Sequence, residues 1–546
     1  MDIFNQNNNQ KVILLGNEAI VRGAIENGVQ FVCTYPGTPT SEIGDSFAKI
    51  APQKDIYFEY SINEKVALET AAGASLSGLK SLVAMKNFGL NVASDFLIPL
   101  IYSGVPGALV IVAGDDPSCS SSGQSEQDSR AFSYLAHIPT LEPATPQECK
   151  YFVKLAFEIS EKFQIPVMIR LTTRVALQSG VVKLDKINWR KNTGKFIKNS
   201  HQFVALPPRV LGMKKELLIK IAKISQEISA RSSLNKIFSP SQFQVNKSKK
   251  LGIITSGVSF LYAIEALQEL KLNIPILKLD FFYPLTETKI KKFIQGLNKV
   301  LIIEELEPYL EKEISTIAKD ANYNLQILGK RQIPTIGELN TDKVILAIAE
   351  LAGQKWSIPP TITTNKRTPQ FCPGCPYWFV FQAIKKTVDV KKVIFGGEIG
   401  CSMLAGFKPI KILDYLYCMG SSISVACGIK KSTDQKVIAF IGDSSFFHSG
   451  IPALINSAYN QSNPLIIILD NQTTAMTGHQ PHPGIKKSGQ SAPTIKIENI
   501  VKACGIKNLK IIDPIKIDKM ISTIKDFLNK PEASVIIARH TCLKIK

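Results

Sequence analysis

The chain has 546 residues, 45% of them hydrophobic and 20% charged, the balance of a soluble globular protein with more than one core. At about 150 residues per domain it has room for three or four domains, and no apolar run approaches the roughly 18 residues a membrane helix needs, so no membrane span is expected. The formal charge of +20 is spread along the chain with no aromatic–basic module that reads bases, which argues against a nucleic-acid partner and leaves compositional bias or a basic face for an acidic protein.

The start, Met1-Asp2-Ile3-Phe4 and then an Asn/Gln tract over residues 5–10, lacks the basic-then-apolar layout of a secretory signal. A cytoplasmic home is expected, and there the ten cysteines are read as thiols or metal ligands before disulfides. Strands are predicted at Lys11–Leu15, Val29–Thr34, Leu82–Met85, Ala108–Ala113 and Val167–Leu171, with a helix over Asn17–Asn27 and a sharp stop at Tyr35-Pro36-Gly37-Thr38-Pro39. Short apolar strands alternating with amphipathic helices specify parallel α/β sheets. From about Lys183 to Lys250 the texture turns Lys/Asn/Ser-rich, with one helical stretch near Lys214–Ile228. The strand–helix rhythm resumes at Leu251–Thr255 and runs to about Leu351, with a strand at Val300–Ile303 ahead of Glu304-Glu305. A Pro/Thr-rich connector, Ile358–Pro369, leads into the last block. The expected fold class is α/β, with three parallel-sheet domains at 1–185, 251–357 and 358–546 and a spacer or wrapping segment at 186–250.

The most informative stretch is Lys436–Asn471. Val437–Ile441 reads as a strand, Gly442-Asp443-Ser444-Ser445 as the turn into a helix ending near Tyr459, and Leu465–Leu469 as a second strand ending in Asp470-Asn471. Such a βαβ unit offers a carboxylate and an amide at the carboxyl edge of a parallel sheet, where ligands bind. A diphosphate at that edge needs a hard cation with oxygen ligands. Asp443, Asn471 and the Thr473 carbonyl are candidate magnesium ligands, and backbone N–H groups around Ser444–Phe446 can meet phosphate at a helix start. An ordinary βαβ unit with a turn Asp and a turn Asn is the alternative.

This unit resembles the signature of thiamine-diphosphate enzymes, Gly-Asp-Gly followed at a distance by Asn, departing from it at Ser444. The words around it are more specific. Phe446-Phe447-His448-Ser449-Gly450-Ile451-Pro452-Ala453, the run Thr474–Gly484, Tyr35–Pro39 and Asn63-Glu64-Lys65-Val66-Ala67-Leu68-Glu69 resemble the α subunits of the indolepyruvate ferredoxin oxidoreductase family along essentially the whole chain. The resemblance implies a pyrimidine-binding domain at 1–185, a transketolase C-terminal-like domain at 251–357 and a diphosphate-binding domain at 358–546. It implies thiamine diphosphate with Mg2+, coenzyme A as cosubstrate, and oxidative decarboxylation of aryl pyruvates with electrons passed to ferredoxin. It also implies a smaller β (γ-type) subunit and an assembly built on an α dimer or α2β2. A non-oxidative decarboxylase releasing an aldehyde, and a scaffold subunit without turnover, are the alternatives.

The resemblance also assigns residues. Glu64 matches the glutamate that hydrogen-bonds the aminopyrimidine and drives loss of the thiazolium proton; a helix-starting surface Glu is its plain reading, and Glu69 is a decoy one turn on. Thr38, with Gly37, matches the loop that meets the substrate carboxylate, against the reading of a rigid Pro-flanked turn. His448, His479 and His482 hold three of the six histidines near the cofactor edge; imidazoles there can move protons or bind carboxylate, with His448 and His479 ranked ahead of His482. Cys372, Cys375, Cys401 and Cys542 resemble the ligand set of a [4Fe–4S] cluster, structural zinc and free thiols being the alternatives. Cys33, Cys119, Cys149, Cys418, Cys427 and Cys504 read as packing cysteines. Family members commonly carry a C-terminal C-x2-C-x2-C-x3-C-P run; none occurs in these residues, and the expectation is that electrons leave through a partner subunit, a separate ferredoxin or a soluble acceptor.

Overall fold

The computed structural model describes residues 2–4, 8–121, 123–191, 193–239, 250–358, 368–485 and 493–545. Part of the Asn/Gln tract, the end of the spacer and most of the Pro/Thr connector lie outside the described residues. The chain divides into two compact units, residues 1–361 and 362–546.

The first unit holds two mainly parallel sheets. One has seven strands in the spatial order Phe281–Tyr283, Thr140–Leu141, Val167–Thr172, Leu109–Asp115, Ser81–Lys86, Phe31–Thr34 and Tyr57–Tyr60. Its central strands are buried at every position, as expected when helices cover both faces of a parallel sheet. The other runs Gln326–Leu328, Lys299–Ile303, Leu251–Ser256, Ile276–Leu279 and Ile237–Phe238. Strand Phe281–Tyr283 leaves that second block to pair antiparallel with Thr140–Leu141, so the two sheets are stitched into one unit. The helical stretch expected in the spacer is a longer helix, Arg209–Ala230, which buries Met213, Leu217, Ile221, Ile224 and Ile228 at helical spacing.

One expected element lands elsewhere. Lys11–Leu15 is a strand, but it pairs antiparallel with Ser179–Lys183 as a separate two-stranded ribbon. Its alternating burial leaves Ile13 69% exposed. A short run of five residues with four apolar ones cannot distinguish a buried central strand from an alternating ribbon.

The second unit is a five-stranded, all-parallel sheet in the order Val393–Gly396, Lys436–Gly442, Leu465–Asp470, Ser534–Arg539 and Asn508–Ile512. Apolar clusters pack on both of its faces. Among the described residues no helix is long and apolar enough to cross a membrane.

The two sheets of the first unit also share a buried charge network. Arg130, 1% exposed, donates to Asp128 at 2.7 Å, to the Glu304 carboxylate at 2.7 Å, and to the Glu305 and Glu307 carbonyls at 2.5 and 3.0 Å. Glu304 in turn accepts from the Leu310 and Glu311 N–H groups, each at 3.0 Å. Burial pushes the Glu305 carboxyl up to about 7, against the pull of Arg170. Removing one partner from such a network strands the others in low dielectric. Arg130→Met is therefore expected to lose about 3–5 kcal/mol of first-unit stability in urea unfolding; a loss under about 1 kcal/mol would mean that the charges are screened as surface pairs are.

Candidate functional site

The parallel sheet of the second unit sends its strand ends to one edge, and Asp443 and Asn471 follow two of those ends. Asp443 follows strand Lys436–Gly442 and Asn471 follows the neighbouring strand Leu465–Asp470, the pair in register at Gly442 and Leu469. Both are buried, at 3% and 8% exposure. The Asp443 carboxylate accepts from its neighbour Ser444 N–H at 2.8 Å and, across the gap, from Gln472 N–H at 2.7 Å. The Asn471 amide oxygen accepts from Thr473 N–H at 3.1 Å, and the Ser444 and Thr474 hydroxyls join the two loops at 3.0 Å. Ser445 and Thr473 are buried beside them. A side chain at Gly442 would meet nothing within 4 Å, so open space lies at the end of the strand, where a ligand can approach. Carboxylate, amide and carbonyl oxygens are the donor set a hard cation takes.

The histidines rank differently from the expectation. His482 is buried, its ring Nε2 3.1 Å from the Asp443 carboxylate and its Nδ1 accepting from Gly484 N–H at 3.1 Å. The ring lies against Phe447, centroids 5.5 Å apart. His448 is also buried, but its Nδ1 meets the adjacent Ser449 hydroxyl at 2.5 Å. His479 is exposed, at a left-handed turn with φ 65°. The backbone turn over residues 474–480, closed by Thr474 N–H to the Gln480 carbonyl at 3.0 Å, decides which ring points inward, and spacing does not reveal that.

The four candidate cluster cysteines approach the same edge from three places. Cys372 and Cys375 bracket a turn closed by Cys375 N–H to the Cys372 carbonyl at 3.0 Å, with Gly374 at φ +75°, which requires glycine there. Cys401 starts the short 3-10 segment Cys401–Gly406. Cys542 follows the last strand, and its N–H donates to the Asn471 carbonyl at 3.0 Å. Burial pushes the Cys401 thiol up to about 12, helped by Cys375, Cys542 and Cys372 in that order. Cys375 is raised by burial and by Cys372 and Cys542. Among the described residues no three His, Cys, Asp or Glu side chains stand close enough to hold one metal ion. Of the remaining cysteines, Cys33, Cys149 and Cys427 are buried and Cys119 and Cys504 partly so, but Cys418 is exposed, on the turn before helix Ser421–Ser432, and is not a packing residue.

Sequence reasoning missed Glu398, which lies just past strand Val393–Gly396, three residues before Cys401. Its carboxylate is fully buried. It accepts from Ile399 N–H at 3.1 Å, from Gly420 N–H at 3.0 and 3.1 Å, and from the Ser422 hydroxyl at 3.0 Å. It thereby ties the Cys401 loop to the start of helix Ser421–Ser432. An acid at a strand's carboxyl end was the available signal, but it carried no motif. Tyr377, also missed, is buried and donates to the Leu469 carbonyl at 2.8 Å.

In the first unit, Glu64 opens helix Glu64–Leu76, capped by Asn63, whose side chain accepts from Val66 N–H at 2.9 Å. Glu64 is only 7% exposed, unlike a surface helix-start acid. Its carboxylate lies against Gly89: a Cβ there would sit 3.0 Å from Glu64 Oε1 and Cδ. Glu69 has the ordinary environment of a surface residue, its side chain 40% exposed and 3.9 Å from Lys65. The Gly37–Thr38 loop follows strand Phe31–Thr34, and a Cβ on Gly37 would stand 2.9 Å from Lys86 Cβ.

Two family models match. The model described as "Pyruvate flavodoxin/ferredoxin oxidoreductase, thiamine diP-bdg" covers residues 22–204, and "Thiamine pyrophosphate enzyme, C-terminal TPP binding domain" covers 398–538. The first span contains Thr38 and Glu64, and the second contains Glu398, Asp443 and Asn471. Together with the parallel sheets and their loaded strand ends they define a thiamine-diphosphate-dependent oxidoreductase of the 2-oxoacid-oxidising class. Relatives named "Indolepyruvate oxidoreductase subunit IorA" extend the likeness over the whole chain. The one from Methanothermobacter marburgensis is 42% identical over 99% of this chain and 88% of its own length. Those from Pyrococcus abyssi and Archaeoglobus fulgidus are 41% and 38% identical, over 98% and 99% of this chain and 86% and 88% of theirs. The chain belongs to the IorA family of indolepyruvate oxidoreductase α subunits.

Burial raises the Glu398 carboxyl from 4.5 to about 8, opposed by its N–H and hydroxyl donors. The folded chain thus keeps a proton that the unfolded chain releases, so this group's contribution to stability falls as pH rises from 4.5 to about 8. Glu398→Gln is expected to flatten that part of the melting-temperature profile; an unchanged slope in the variant would assign the pH dependence to other groups.

Proposed function

We propose that this chain is the catalytic subunit of a cytoplasmic enzyme that oxidatively decarboxylates aryl pyruvates, of the indolepyruvate and phenylpyruvate type, to acyl-CoA and passes the electrons to ferredoxin. The observation that carries the reading is the pair Asp443 and Asn471, buried on adjacent parallel strand ends and joined through Gln472. Asp443, Asn471 and the Thr473 carbonyl would hold Mg2+, and the loop Gly442–Ser445 would receive the diphosphate. Thiamine diphosphate supplies an electron sink for the carboxylate's departure, and the protein orients and shields it.

Glu64 is the group that would share a proton with the pyrimidine end of the cofactor. Its burial at the start of helix Glu64–Leu76, against Gly89, supports that part. Thr38 would receive the 2-oxoacid carboxylate. Residues 1–185 would then act as the pyrimidine-binding domain, 251–357 as the transketolase C-terminal-like domain and 358–546 as the diphosphate-binding domain, within one chain or across an α dimer. A [4Fe–4S] cluster beside the cofactor on Cys372, Cys375, Cys401 and Cys542, which the family resemblance implies, would favour oxidation over simple aldehyde release. A smaller β subunit and ferredoxin complete the pathway for electrons.

The test is reduction of a viologen dye by the anaerobic enzyme with its partner subunit, which is expected to require both an aryl pyruvate and coenzyme A. Aldehyde release without dye reduction would establish the non-oxidative reaction instead. Glu64→Gln is expected to lower turnover about 100-fold or more, the scale of lost acid–base catalysis, while calorimetry shows cofactor affinity retained; a near-normal rate would remove Glu64 from this role. Asp443→Ala is expected to lose the cofactor, and unchanged affinity would contradict the magnesium assignment. Iron and acid-labile sulfide should copurify with the wild-type chain and fall sharply in Cys401→Ser; zinc in their place, or no metal at all, would reject the cluster.

A further inference from the structure

A buried cation stands behind the substrate loop that neither the sequence motifs nor the family resemblance assign. Lys86 ends strand Ser81–Lys86 and is 9% exposed. Its Cβ packs under Gly37, where a side chain would stand only 2.9 Å away. Its ammonium donates to the Ser121 hydroxyl at 2.9 Å and the Ser121 carbonyl at 3.2 Å, with Asp116 at 3.4 Å. The Ser121 hydroxyl lies between the Asp116 carboxylate, at 2.5 Å, and the carbonyl of Thr38, at 3.1 Å. Asp116, 3% exposed, is held in place by Ser121 N–H at 2.9 Å and by the Ser120 and Thr173 hydroxyls at 3.0 and 2.8 Å.

The chain of contacts runs from the end of one strand, through the loop after the next, to the backbone of Thr38. Thr40 N–H closes the same turn onto the Gly37 carbonyl at 2.9 Å. By contrast, the Thr38 hydroxyl makes no hydrogen bond among the described residues, and Thr38 is only partly buried. A fixed backbone with a free hydroxyl is what a recognition group needs, since a positioned donor gains its advantage from not having to be ordered when the ligand arrives. A buried lysine is costly unless paired, and here the ammonium has Asp116 and two oxygens of Ser121 as partners.

We infer that Lys86, acting with Asp116 and Ser121, is a positioning residue for the substrate loop, holding Thr38 so that its hydroxyl meets the carboxylate of the 2-oxoacid. This rests on the proposed function, which places the 2-oxoacid at Thr38. Lys86 itself need not touch the substrate. Its removal loosens the loop and affects 2-oxoacid recognition without disturbing the cofactor or coenzyme A.

The experiment compares wild type, Lys86→Met, Lys86→Arg and Ser121→Ala in the assembled enzyme with thiamine diphosphate and Mg2+. Viologen reduction gives separate KM values for phenylpyruvate and coenzyme A, and calorimetry gives thiamine diphosphate affinity. Lys86→Met is expected to raise the phenylpyruvate KM about 10-fold or more, with Ser121→Ala shifting it in the same direction and Lys86→Arg recovering most of the loss. The coenzyme A KM and the cofactor affinity should stay within about twofold of wild type. Unchanged phenylpyruvate KM in both Lys86→Met and Ser121→Ala, or a parallel loss of all three parameters, overturns the inference while leaving the proposed function in place. A wild-type enzyme that binds cofactor but shows no 2-oxoacid-dependent reduction overturns the function, and the inference with it.

Discussion

The hydrogen bond from Gln472 N–H to the Asp443 carboxylate, 2.7 Å long, joins two strand ends that are 29 residues apart in sequence. The arrangement of the second unit depends on it. Parallel strands in register deliver every loop to one edge, and a carboxylate that accepts from the neighbouring loop locks the relative depth of the two ends. Asn471 is then held beside Asp443, and Cys542, whose N–H is bound to the Asn471 carbonyl, follows from the next strand. Four strand ends in turn contribute Glu398, Asp443, Asn471 and Cys542 to that edge.

The first unit uses the same geometry with different chemistry. Strands Tyr57–Tyr60, Phe31–Thr34, Ser81–Lys86 and Leu109–Asp115 are neighbours in that order, so Glu64, Thr38, Lys86 and Asp116 come from four adjacent strand ends. Residues far apart in the chain thus become neighbours through sheet order, and glycines at Gly37 and Gly89 let the backbones close without a Cβ in the way.

Buried charge is handled in three distinct ways. Arg130 is paired in full with acids and carbonyls, which stitches the two sheets of the first unit. Lys86 is paired mostly with neutral oxygens, and burial lowers its proton affinity, as for any desolvated ammonium. Glu398 accepts from N–H and hydroxyl donors, and burial outweighs them, so it holds its proton to near neutral pH. The first is structural, while the other two stand directly beside loops that carry candidate site residues.

The alternation of strands and helices, the βαβ unit at Lys436–Asn471, and the placement of Asp443, Asn471 and Glu64 at strand or helix ends were legible in the sequence. Each of these is written in local periodicity or in a contiguous motif, and a hydrophobic strand followed by an acid needs no distant partner to be recognised. Tertiary structure alone decided that Lys11–Leu15 stands outside the main sheets, that strand Phe281–Tyr283 crosses into the first one, and that His482 rather than His479 turns toward Asp443. It alone revealed Glu398, and the link from Lys86 through Ser121 to Thr38. These depend on strand order and on which side of a loop faces inward, and both are set by packing between residues tens to hundreds of positions apart, which leaves no period or spacing in the chain to read.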